Sequence, residues 1–208
     1  PAVIAPVAVA YLQMRHVYGY RRSLEEMAGY AGRLSDYVCI PPGLRVWDGI
    51  LLPGEPERML FPGLTVVVLA IVAVGSVFVT RRAHTDSRTA RWRWRICLYV
   101  IVLLLAVWLG CGPAVPGPYS ILAQLLPGFD GLRVPARLVV VVALALVVLA
   151  SAGAAPVLAR LRPAAAALVT GLITIAMVAE GYGGPMQMAP FSPLKDARHT
   201  VDTWLRIG

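Results

Sequence analysis

The sequence predicts an all-α fold: a polytopic integral membrane helix bundle with extracytoplasmic loops and a surface amphipathic helix. Three observations predict it. The 208 residues are 58% hydrophobic and only 14% charged, with a mean hydropathy of +0.71, whereas a soluble domain carries about a quarter of charged residues. Four charge-free apolar runs stand out, at 61–80, 96–112, 138–159 and 163–179. Each falls in the range of roughly 17–25 residues that crosses a hydrocarbon core as a helix, and strands stop near ~8 residues. Finally, the basic residues collect in two of the connecting segments.

Those charges orient the spans. The loop 81–95, "RRAHTDSRTARWRWR", holds six Arg and one Asp, and the turn 160–162 adds Arg160 and Arg162. The other polar segments are nearly balanced, with eleven basic and ten acidic residues. By the positive-inside rule the loop and the turn are cytoplasmic, and segments 13–60, 113–137 and 180–208 face outward. Trp92 and Trp94 beside the second span fit an interfacial aromatic belt. The chain is therefore expected to cross a membrane several times, with that loop and turn on its cytoplasmic face.

Residues 1–12, "PAVIAPVAVAYL", carry no Met, basic n-region or cleavage site, so they are not a signal peptide. Twelve apolar residues are too few to span. They are expected to be the C-terminal part of a truncated transmembrane helix, and the chain a fragment.

In segment 13–60, Ser23 with Glu26 three residues on forms a capping-box pattern. Leu24, Met27, Ala31, Leu34 and Val38 recur at spacings of three and four, which predicts one amphipathic helix over 23–38. It should lie on the membrane surface or on the other outer loops. Gly29 and Gly32 weaken it, each by about 1 kcal/mol relative to Ala. Glu25 and Glu26 are adjacent and point about 100° apart on a helix, so they do not form a catalytic pair. They read as first-turn carboxylates at the positive helix end. The stretch "CIPPGLRVWDGILLPGEPER" that follows is rich in turns.

Segment 113–137 leaves the second span sharply through Pro and Gly. "YSILAQLLPGF" then reads as a short apolar helix stopped at Pro127–Gly128, and "FDG" as a tight turn. Pro135 suits the first turn of the third span, while Pro156 should kink or end that span. Arg133 and Arg137 lie four apart and share a face if both are helical. Two guanidiniums at a helix N-terminus match a phosphate, which makes them the candidate lipid-phosphate-binding residues. The bland alternative pairs Arg133 with Asp130 and lets Arg137 reach the headgroups. Asp130 is a poor base beside an arginine.

Segment 180–208 begins with Glu180, which faces water or the bundle interior, and runs through an extended linker toward the start of an outer domain. Cys39, Cys97 and Cys111 show no CxxC spacing, and the three His are dispersed. No metal or cofactor site is therefore expected. Phosphate-loop, dinucleotide, zinc-protease and serine-hydrolase motifs are absent. The arginine loop fits topology and anionic lipid better than nucleic acid. The expected partner is the lipid bilayer.

Four pieces in order resemble a known group: "PVAVAYLQMRHVYGYRRSLEEMAGYAGRLSDYV", "ERMLFPGL", "PYSILAQLLPGFDGLRVPARL" and "HTVDTWL". Together they resemble the C-terminal membrane half of bacterial polytopic GT-C type glycosyltransferases of the dolichyl-phosphate-mannose-protein mannosyltransferase-like kind. The resemblance covers nearly the whole chain, and "PGFxGLRVPAR" is its most specific part. It implies sugar transfer outside the membrane from a polyprenyl-phosphate-linked donor. The group's catalytic carboxylate lies in a first outer loop near the N-terminus, which matches nothing in this chain, so no catalytic residue is carried over and this chain alone is expected to be inactive. Later outer loops help to bind the lipid-phosphate donor, consistent with Arg133 and Arg137. A non-enzymatic membrane protein, such as a scaffold or a handler of lipid-linked glycans, is the alternative. A transporter fits less well, because its ion pathways need charges within the spans.

Overall fold

The computed structural model describes residues 9–10, 13, 16–19, 23–55, 57–79, 87–115, 117–125, 129 and 134–184. The described chain is mostly helical. Its elements are α1 (Leu24–Gly29), a 3-10 turn at Leu34–Val38, β1 (Cys39–Ile40), β2 (Leu52–Pro53), α2 (Leu64–Val79), α3 (Ser87–Gly110), α4 (Pro118–Leu125), a 3-10 turn at Pro135–Leu138, α5 (Val139–Leu158) and α6 (Pro163–Glu180). Three stretches are long and apolar enough to cross a membrane: Thr89–Gly110, Pro135–Leu158 and Pro163–Glu180. The first apolar run forms a shorter helix, 16 residues in α2. Of the expected helix remnant at 1–12 only residues 9–10 are described, as helix, and 185–208 lie outside the described residues.

The core forms where α5 packs on α2 and α3. Along α2 the buried residues are Val66, Ala70, Ala73 and Val77, spaced four, three and four. They meet Val142, Leu146, Leu149 and Ala150 of α5, with Ile96 and Ala106 of α3 closing the cluster. Small side chains let the backbones approach. The approach is closest at Gly153, where a Cβ would fall on the carbonyl oxygen of Leu69 and 2.9 Å from the amide nitrogen of Ala73. Even one added methyl group there forces α2 and α5 apart. By contrast, α6 buries none of its residues and holds to the rest mainly at its C-terminal end.

The segments between helices depart from the sequence reading in three places. The single helix expected over 23–38 is broken. α1 ends at Gly29, and a separate 3-10 turn begins at Leu34. The break falls at the two glycines, where the Gly32 N–H donates to the Gly110 carbonyl at 2.9 Å, a tertiary bond that a continuing helix would forbid. Met27 and Ala31 are buried, but Leu34 is 71% exposed, so the apolar stripe does not continue. The basic stretch 81–95 is also not all loop. From Ser87 onward it is the beginning of α3, since Ser87–Arg95 contains no Gly or Pro and consists largely of good helix formers. This extends the helix roughly 14 Å beyond the apolar run, at ~1.5 Å per residue. Finally, the all-α expectation omits a two-residue parallel pairing, Cys39 with Leu52 and Ile40 with Pro53, which ties the base of the loop between them.

Pro156 lies two residues before the end of α5, and so ends the span, while Pro163 starts α6 at its first position, where its missing N–H costs nothing.

Candidate functional site

The described parts of the polar segments 23–63 and 111–138 and the end of α6 meet at one end of the helices, where they form a cap. Its floor is the start of α5. Val134, Pro135 and Ala136 are buried there, with Leu60, Tyr30 and Tyr37 packed on them. α1 lies on the second segment. Met27 is 1% exposed, and the hydroxyl of the buried Tyr119 donates to its sulfur at 3.4 Å. Ser23 caps α1, accepting from the Glu26 N–H at 3.1 Å. Of the two resting places expected for this amphipathic piece, it takes the loops.

The centre of the cap is an ion pair that the sequence reading did not single out. Asp36 is buried. Its carboxylate accepts from the Arg33 N–H at 2.8 Å and from Arg58 Nε at 3.0 Å. Arg58 also donates to Glu55 at 2.8 Å. The burial of Arg58 works against its charge, but the hydrogen bond and the charge of Asp36, and then Glu55, raise its pKa above the ordinary value. The Leu60 N–H donates to the Asp36 carbonyl at 3.1 Å, so the pair fixes the chain leading into α2. Nothing in the sequence marks Asp36, because its partner lies 22 residues away. Next to it, burial, followed by the charges of Cys111 and Asp36, pushes the Tyr37 hydroxyl up to about 12. Burial alone takes Tyr119 to about 12.

A second device joins α6 to α2. Both carboxylate oxygens of Glu180 accept from the Thr65 N–H, at 3.0 and 3.2 Å, and the Thr65 hydroxyl donates to one of them at 2.8 Å. The carboxylate at the end of one helix thus satisfies a donor at the positive start of another. Gly63 makes this fit possible. Its φ is +94°, and a Cβ would stand 2.9 Å from the carboxylate. Expected to face water or the bundle, and at a span end usually the interface, Glu180 is half-buried at the end of α6 and turned to the start of α2.

Arg137 is at the rim of the cap, 74% exposed at its side chain, and donates to Glu57 at 3.3 Å. Arg133, Asp130 and the Pro127–Gly128 stop lie outside the described residues, so the expected pairing of the two arginines, or of Arg133 with Asp130, falls there too. The first turn at the start of α5 is 3-10, with the Arg137 N–H donating to the Val134 carbonyl at 3.1 Å. Cys39, Cys97 and Cys111 are free thiols, and among the described residues no group of three His, Cys, Asp or Glu side chains is placed to hold a metal. Glu25 and Glu26 stand in the first turn of α1. Comparisons with protein-family models, curated proteins and solved structures return no match to this chain.

Proposed function

We propose that this chain is the membrane-embedded, lipid-handling part of a GT-C type glycosyltransferase, acting outside the bacterial cytoplasmic membrane on a polyprenyl-phosphate-linked sugar. The observation that carries the proposal is the convergence of the polar segments into a structured cap at one end of the apolar helices, with Arg137 exposed at its rim. The ordered outer-segment motifs, "PGFDGLRVPAR" above all, support the family reading. In this proposal the helices form a bundle in the bilayer. The cap lies on the extracytoplasmic side, and the Arg-rich start of α3 is cytoplasmic.

Arg133 and Arg137 then bind the donor phosphate through charge-assisted hydrogen bonds, with Glu57 as the counter-ion that the phosphate displaces from Arg137. Catalysis belongs to a carboxylate outside the residues that carry the resemblance. The test is polyprenyl-phosphate-sugar turnover by the full-length protein in membranes. Arg133→Ala and Arg137→Ala are each expected to raise the KM for the donor about tenfold, the loss of one charge-assisted hydrogen bond. Turnover unchanged in both variants removes the two arginines from donor binding.

One observation favours a second reading, a non-enzymatic scaffold. The cap's buried ion pair is satisfied entirely within the chain, Asp36 by Arg58 and Arg33, as in a structural mount. That reading predicts no sugar turnover at any donor concentration.

A further inference from the structure

A different arginine stands beside an apolar cleft on α6, next to its lining residues Val46 and Tyr182. The cleft, of about 350 Å³, is lined by Val46, Thr174, Ile175, Val178, Ala179 and Tyr182. Its wall is apolar even at Thr174, whose hydroxyl donates to the Thr170 carbonyl within the helix. At the outer end of the cleft the Arg45 guanidinium sits 5.6 Å from the centre of the Tyr182 ring, within cation–π range. Among the described residues no acidic side chain pairs with Arg45. Its position is built by the backbone. The Arg45 N–H donates to the Tyr182 carbonyl at 3.3 Å, the Gly184 N–H donates to the Gly43 carbonyl at 2.8 Å, and Leu44 pairs with Gly183. The loop is thus pinned across the end of α6, with a fixed cation above a greasy slot.

We infer that this cleft binds an anionic glycerophospholipid of the surrounding leaflet, its phosphate on Arg45 and an acyl chain along Ile175 and Val178. Charge complementarity selects the headgroup, because a guanidinium without an acidic partner presents a donor fork that suits a phosphate, and basic pockets beside transmembrane helices hold such headgroups. α6 buries none of its residues, and Thr174, Ile175 and Val178 are exposed, which leaves the slot open sideways to the bilayer, where phospholipid is the abundant occupant. The inference rests on the membrane reading above and is independent of sugar transfer.

The test is native mass spectrometry of the purified full-length protein with phosphatidylglycerol, with phosphatidylcholine of the same chains, and with a polyprenyl phosphate. Phosphatidylglycerol is expected to be retained in preference to phosphatidylcholine. Arg45→Ala should weaken its retention about tenfold without affecting phosphatidylcholine. Ile175→Trp, which fills the slot from a lipid-facing position, should weaken both. Circular dichroism checks that each variant keeps its helices. Equal retention of the two phospholipids, a preference that survives Arg45→Ala, retention that survives Ile175→Trp, or binding of the polyprenyl phosphate alone would each overturn the assignment. Sugar turnover is not read here, so failure leaves the arginine test at the α5 rim standing on its own.

Discussion

Glu180 shows how a single charge at the end of a span organises its surroundings. Hydropathy ends the fourth apolar run at this residue, but only the fold shows that its carboxylate caps α2, because Thr65 is 115 positions away. Replacing it with Ala leaves the Thr65 N–H and hydroxyl without this acceptor. The expected cost is about 1 kcal/mol, as for a lost N-cap, and α6 loses a principal hold on its neighbours. Faster amide exchange at Thr65, with little change in the middle of α5, is the expected readout; unchanged exchange at Thr65 would refute the capping role. Tyr37 offers a second test. Its pKa is raised to about 12 from the ordinary value of about 10, so the folded chain keeps a proton that the unfolded chain releases. Stability is full below pH ~10 and falls as the pH rises toward ~12. A tyrosinate absorbance titration should show a late component near pH 12 that shrinks in Tyr37→Phe. Among the described residues, Tyr119 also contributes to that component.

Among the elements, the apolar helices were legible because length and hydropathy alone identify a span. The surface helix was not. Its three–four spacing is real, yet the Gly32–Gly110 bond and the burial of Asp36 reward a turn at the glycines more than the periodic pattern rewards continuing. Local pattern failed where a tertiary partner entered. Ser87–Arg95 is the opposite case: charge composition suggested loop, but helix propensity, itself a local property, prevailed. Neither Asp36–Arg58 nor Arg45–Tyr182 left a sequence signal, since each joins residues brought together by the cap. The packing of α2 on α5 makes a sharper claim. Gly153→Leu puts a branched side chain where a single Cβ already meets α2 backbone. The expected cost is at least ~1–3 kcal/mol, the usual cost of overpacking. Thermal denaturation in detergent should show a lowered midpoint for Gly153→Leu. Gly75→Leu, at a glycine with open space around it, should be nearly silent. Equal effects from the two would mean that the close helix crossing is not what holds the pair.

At the scale of the molecule, the account depends on direction. The cap, the start of α2, the end of α3, the start of α5 and the end of α6 share one end, and the arginines of early α3 occupy the other. The lipid phosphate on Arg133 and Arg137 and the sugar-transfer reading require the cap to be extracytoplasmic, whereas the phospholipid on Arg45 requires only a bilayer around α6. Substituted-cysteine labelling tests this most directly. In a variant whose three native cysteines are replaced, Asp48→Cys and Arg91→Cys each place one exposed thiol at opposite ends. In intact cells, a membrane-impermeant maleimide is expected to label the cysteine at 48, and to reach the one at 91 only after permeabilisation. Labelling at 91 without permeabilisation, with 48 protected, would contradict the account.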